Sequence, residues 1–190
     1  MNTQTNALHA YPRQWIKTVA ATGTPERLTQ ISLSMSIAGA TPVTENGRSY
    51  STATTSVAHQ LQPGDEFQVT GLATRTELNS RRLRVWEVTS ATEFVFVDPS
   101  GDEDNEASVA VVLTAFISFE RATVLGKKAA RTANTGDVYL GLSSTNDTQP
   151  YKIATDTEIV IEAPPGKYMR LADWYVDVAT AADGVVVLFF

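Results

Sequence analysis

Hydrophobic residues in this chain recur at every second position far more often than at every third or fourth. In EIVIEAPPG, Ile159 and Ile161 fall on one side of an extended backbone, and Glu158, Val160 and Glu162 on the other. The run stops at Pro164, Pro165 and Gly166, which predict a tight reversal. DEFQVTG repeats the alternation, with Phe67 and Val69 set against Glu66, Gln68 and Thr70. TEFVFVDPSG is a β-branched and aromatic run closed by a turn signal. SVAVVLTAFISFERATV lacks Gly and Pro, and predicts two strands or one long strand with a bulge near Thr114 and Ala115. The best helical candidate, Arg75 to Arg81, is too short to be stable alone. The pattern predicts an all-β chain of the sandwich or barrel type.

Two polar interruptions organise the strand runs. ATPVTEN, from Ala40 to Asn46, is turn-rich, and DPSGDEDNEAS, from Asp98 to Ser108, is acidic. They predict a β-sandwich, jelly-roll-like and discontinuous over residues 1–40 and 115–190. A small β-barrel or β-hairpin module is expected to be inserted at 41–114. The closing run GVVVLFF is too short to span a bilayer, which takes roughly 20 residues as a helix. A sheet edge that apolar invites aggregation, so Val185–Phe190 is expected to be buried, as a central strand or against a neighbouring subunit.

Composition narrows the function. The chain has 190 residues, 43% of them hydrophobic and 19% charged, which is enough for one ordinary domain or two small ones. Its net charge of -6 repels nucleic acid unless a local basic patch overrides it. Without cysteine there is no disulfide and no thiolate chemistry. The beginning of the chain carries no apolar run of the kind that opens a secretory signal. His9 and His59 are the only histidines and are poorly spaced for a metal.

VLGKKAARTANTGDVYLG concentrates Lys127, Lys128 and Arg131. A phosphate loop needs a second glycine upstream, a hydroxyl after the lysine and a following helix, and all three are missing. Two readings remain: a solvated connection, or a basic ridge that docks on an acidic partner. Asp102, Glu103, Asp104 and Glu106 offer hard oxygens for a cation but lack the calcium-loop glycine and the distant glutamate, so they read as a solvated hairpin tip. Arg81, Arg82 and Arg84 lie close to Trp86 and read as a salt-bridging strand facing that acidic loop. Trp174 and Tyr175 read as half core and half interface, with a carbohydrate platform as the alternative. No nucleophile elbow and no defensible carboxylate pair is present, so no catalytic residue, cofactor or metal ligand is assigned.

Several segments resemble small virion proteins of tailed bacteriophages. The matching pieces are Gly23–Leu28, Asn134–Gly141, Ala163–Gly166, Leu171–Asp177 and Asp183–Val187. A second phage-type module is similar to the central segment, through His59, Leu61, Gly64, Asp65, Phe67, Val69, Gly71, Asn79 and Thr89–Phe96, with Gln60 where that module usually has glycine. Gly136 and Gly141 are expected at positive φ, and Asp183-Gly184 at a turn. The resemblance implies a capsid decoration or cement protein, not an enzyme. It would sit on the outer capsid surface of the virion, bind the major capsid protein and form a homo-oligomer, most simply a trimer. Neither nucleic acid nor membrane is an expected partner. Lys127, Lys128, Arg131, Trp174 and Tyr175 are the expected partner-facing residues, and the arm Met1 to Tyr11 is expected to order on assembly. The alternative is a neck, tail or fibre component that recognises host glycans.

Overall fold

The computed structural model describes residues 13–43, 47–128, 132–144 and 150–189, with only the backbone of 41–43. The arm at 1–11, His9, Arg131 and Phe190 lie outside the described residues. Within them the chain is all-β. In chain order the strands are β1 (Arg13–Thr18), β2 (Glu26–Arg27), β3 (Gln30–Val43), β4 (Arg48–Thr55), β5 (Glu66–Thr70), β6 (Leu83–Ser90), β7 (Glu93–Asp98) and β8 (Glu106–Phe116). They continue as β9 (Ser118–Phe119), β10 (Arg121–Leu125), β11 (Val138–Gly141), β12 (Tyr151–Ile153), β13 (Glu158–Glu162), β14 (Met169–Arg170), β15 (Tyr175–Val178) and β16 (Gly184–Phe189). The helical candidate at Arg75–Arg81 is a single 3-10 turn, Thr76–Leu78, and a second such turn covers Leu171–Asp173.

Two compact units divide the chain: residues 1–28 with 118–190, and residues 29–117. The second is a closed barrel in the order β3-β4-β7-β6-β5-β8. Its bounds differ from the expected 41–114 because β3 belongs to it. β3 pairs with β4 along one side (Met35 opposite Thr55) and with β8 along the other (Ile31 opposite Leu113). Ala40–Val43 of the polar stretch lie within β3 and Thr41–Val43 pair with β4, so the stretch falls inside the barrel rather than at a boundary. The acidic stretch joins β7 to β8. The break in the long apolar run falls at Ile117, not at Thr114, and it coincides with the end of the barrel unit. The interior is filled by side chains, as a six-stranded barrel requires. Phe67 meets Phe94 and Phe96 edge-on at 5.2 and 5.6 Å, with Val69, Val85, Met35 and Leu113 buried around them.

The first unit is a β-sandwich. One sheet runs β1-β16-β10-β13, the other β12-β11-β15-β2, and β14 and β9 form a short two-stranded ladder of their own. β16 is central, paired to β1 on one side and to β10 on the other, so the apolar run from Val185 to Phe189 is covered within the chain. Trp15, Val187 and Val124 stand in register on adjacent strands, and all three are fully buried. Lys17 also faces inward. It pairs with Glu26 of the opposite sheet, and burial pulls its ammonium below the usual value despite that partner.

Gly184 is needed at the start of β16 for space rather than for dihedral freedom. A Cβ there would lie 2.0 Å from the Lys17 carbonyl oxygen, a backbone atom that moves only if β1 moves. Gly184→Ala is expected to lower the stability of the sandwich by about 1–3 kcal/mol, as overpacking does. Denaturant unfolding followed by the fluorescence of buried Trp15 measures it. A glycine-to-alanine change at solvent-facing Gly166, where φ is +71° and nothing lies within 4 Å, tests dihedral strain alone.

Candidate functional site

The matched segments of the sandwich interlock. The Asp183 carboxylate is fully buried and accepts hydrogen bonds from the Thr135 N–H at 2.8 Å, the Gly136 N–H at 2.8 Å and the Lys128 ammonium at 3.2 Å. Next to it the Asn134 amide clasps Gly184, donating to its carbonyl at 2.8 Å and accepting from its N–H at 3.2 Å. Burial alone would raise the Asp183 carboxyl, but Thr135, Gly136 and Lys128 outweigh it and hold it below the usual value. Two expectations change here. Gly136 and Gly141 are not at positive φ; Ala182 is the left-handed residue of the final turn, at +65°. At Gly136 a Cβ would lie 2.8 Å from the Thr180 hydroxyl and 3.2 Å from the Ala179 Cβ, so a larger residue there must displace those side chains.

The basic ridge is partly neutralised within the chain. Lys128 is held by Asp183, and Lys127 lies 3.3 Å from Asp156. Both lysine side chains keep about a third of their surface exposed, at 30% and 33%. Trp174 is buried with its ring 6.0 Å from Tyr151, and half-exposed Tyr175 lies under the Arg27 guanidinium at 5.3 Å.

The sandwich has a different surface that sequence reasoning missed. Among the described residues β13 ends one sheet and β12 ends the other, and a groove of about 470 Å³ lies beside them. Tyr151, Ile159, Val160, Ile161, Met169 and Trp174 line it. Val160 is 47% exposed, and Tyr151, Leu142 and Tyr168 are exposed large apolar residues of the same unit. The signal was present in EIVIE, whose middle residue is apolar on the outward face, but alternation alone does not say which strand ends a sheet.

The barrel spends its acidic loop on Arg75, a residue the sequence did not single out. Arg75 is 0% exposed. It donates to Asp98 at 2.7 Å, Ser100 at 2.8 Å, Glu77 at 2.7 Å and the Asp104 carbonyl at 3.1 Å. Glu106 in turn accepts the Thr74 and Arg75 backbone N–H groups at 2.7 and 2.8 Å. The tip of the loop is exposed at Glu103 and Asp104, as expected, while Asp98 and Glu106 at its two ends are buried against Arg75. Of the arginines expected to face it, Arg82 instead pairs with Glu66 at 3.2 Å and lies over Phe116. Among the described residues no group of three or more His, Asp or Glu side chains is arranged to hold a metal.

His59 orients backbone, as expected of it. Its Nδ1 accepts the Leu61 N–H at 3.0 Å, so Nε2 carries the proton and donates to the Ser90 carbonyl at 3.1 Å. Between them Gln60 sits at φ +59°, the left-handed conformation that the usual glycine would adopt freely. Burial lowers the imidazole below its usual 6.5, against the opposing pull of Ser90, Glu93 and Asp65. The unfolded chain therefore takes up the His59 proton first. The stability of the barrel should be full above about pH 6.5 and should fall as the pH drops through the lower folded value. Unfolding free energy measured from pH 8 to 5 checks this, and His59→Gln should remove that step.

No family model, no curated protein and no solved structure matches this chain.

Proposed function

We propose that the chain is a structural protein of a bacteriophage virion, of the capsid decoration or cement kind. It binds the major capsid protein on the outer shell and stabilises that shell by mass action, with many weak contacts adding through avidity. The observation that carries the reading is the apolar surface of the sandwich, where Leu142, Tyr151, Val160 and Tyr168 are all exposed. Tyr151 and Val160 share the groove beside β12 and β13, and exposed apolar residues at a sheet edge mark protein contacts. The resemblance in the interlocked segments agrees with it, since Asn134 and Asp183 serve architecture. Assembly as a trimer belongs to the same proposal, although β16 is covered within the chain and no longer calls for a neighbour.

The test is attachment. Purified protein added to shells that lack it should bind in fixed ratio to the shell subunit and raise the temperature at which the shell opens. Binding confined to tail or neck fractions, or in far fewer copies, overturns the decoration reading. A second reading, a tail or fibre part that recognises glycans, rests on Trp86. That ring is 54% exposed on the barrel and leans on Tyr50 at 5.2 Å, as a sugar platform would. Quenching of Trp86 fluorescence by host polysaccharide would favour it.

A further inference from the structure

Among the described residues the outer edge of β13 has no strand partner. In its ladder with β10, Ala163 donates to the Glu120 carbonyl at 2.8 Å and Thr157 accepts from the Gly126 N–H at 2.9 Å. In an antiparallel ladder the residues that turn both backbone groups to one neighbour alternate with those that turn them away. Residues 157, 159, 161 and 163 therefore face β10. Glu158, Val160 and Glu162 turn their N–H and C=O groups outward, to the side where the sheet ends. The same three residues carry exposed side chains, while Ile161 is buried below them.

We propose that this edge takes up an extended segment of a partner protein as an added strand. The segment carries Lys or Arg opposite Glu158 and Glu162 and an apolar residue opposite Val160. Its alternate side chains enter the groove beside Ile159 and Ile161, over Trp174 and Met169. The inference rests on the reading of the chain as a partner-binding structural protein and supplies the chemistry of its contact.

Charge selects the occupant. The sequence from Glu158 to Glu162 is a palindrome, so a second copy of β13 laid antiparallel with Val160 on Val160 would set glutamate directly against glutamate at both ends. Like charges in directly opposed positions destabilise a sheet, and opposite charges stabilise it. The two glutamates thus turn away the edge of another copy, the usual route to unwanted association, and leave the strand open to a basic segment. Glu162 already meets Arg121 at 3.3 Å on the exposed surface, which shows the geometry that such a pair takes.

The experiment uses the full chain and two end-blocked peptides, TTKVVVKTT and TTEVVVETT. Amide hydrogen exchange is read residue by residue. The lysine peptide should slow exchange at Glu158, Val160 and Glu162 and leave Ile159 and Ile161, already bonded to β10, unchanged. It should bind at least about tenfold more tightly than the glutamate peptide. The double variant Glu158→Lys with Glu162→Lys should reverse that preference. Val160→Pro removes only an outward N–H, so it should keep its thermal transition and lose the peptide. Equal binding of both peptides, or no protection at the three outward amides, overturns the proposal. So does protection that rises with protein concentration alone, which would make a second copy the occupant. Peptide binding without attachment to shells would sink the decoration reading and leave this one standing; attachment without peptide binding would do the reverse.

Discussion

Replacing Arg75 by methionine is expected to cost the barrel about 3–5 kcal/mol, the largest single effect of any side chain outside the apolar core. The size follows from what is left behind. Asp98 is itself fully buried, and among the described residues Arg75 is its cationic partner. Burial pushes the Asp98 carboxyl up, but Ser100, Ser51 and Arg75 outweigh that and hold it below its usual value. Without the guanidinium, two hydroxyls and the Ser100 N–H remain as neutral donors for a charge taken out of water, and the Asp104 carbonyl and Glu77 lose the Arg75 donor as well. Burying an ion whose partner has been removed is far costlier than burying the pair. The double variant Arg75→Met with Asp98→Leu should therefore recover part of the loss, because no lone charge stays inside. Trp86 is the only tryptophan between residues 29 and 117, so its fluorescence reports the barrel transition. A single variant that unfolds like the parent would show that the loop is solvated, as its composition suggests. Acid has the same target. Stability from Asp98 is present above its usual 3.8 and is lost as pH falls through the lower folded value.

The strand content was legible because alternation is a local property. Phe67 and Val69 are buried with Glu66 and Thr70 exposed, and Ile161 is buried between Glu158 and Glu162, as the pattern required. The module boundary was not legible. QISLSMSIAGATPV looks like any strand, and only its partners, β4 and β8, place it in the barrel. Turn residues at Ala40 to Asn46 mark a reversal, and a reversal within a module looks the same in sequence as one between modules. Arg75 was hidden for a related reason. Its charges are neutralised by Asp98 and Glu77, one of them 23 residues away, and a polar run gives no sign that one of its members is buried. Trp174 shows the reverse. The aromatic pair invited an interface, whereas register with β11 and β2 puts Trp174 inside and Tyr175 at the rim. The docking edge at Val160 sits between these cases. Its pattern was read correctly, and its role waited on knowing that β13 has one neighbour.

Asp183→Asn should destabilise the sandwich by about 1.5–3 kcal/mol, the cost of losing hydrogen bonds to a charged acceptor. The substitution keeps the shape and changes the chemistry. Thr135 N–H, Gly136 N–H and the Lys128 ammonium all donate to this one carboxylate. An amide presents one acceptor and one further donor to three donors, so at least one of them loses its partner. The neighbouring clasp between Asn134 and Gly184 is loaded through the same turn, and Gly184 begins the central strand. Loss of the carboxylate is therefore felt in β16 rather than only in the loop. Lys128→Met gives the contrast. Its side chain is about a third exposed, and an ion pair that water can reach is worth about 1 kcal/mol or less. The two variants together decide what Lys128 is for. If both cost the same, the lysine is a structural counter-ion that a partner cannot borrow. If Lys128→Met leaves stability nearly unchanged, the two backbone donors hold Asp183 by themselves, and the ammonium is free to serve the acidic surface of a partner. Denaturant unfolding followed at Trp15 measures both. The Asp183 contribution should also vanish in acid, since its folded carboxyl lies below the usual 3.8 and protonation removes the charge all three donors share.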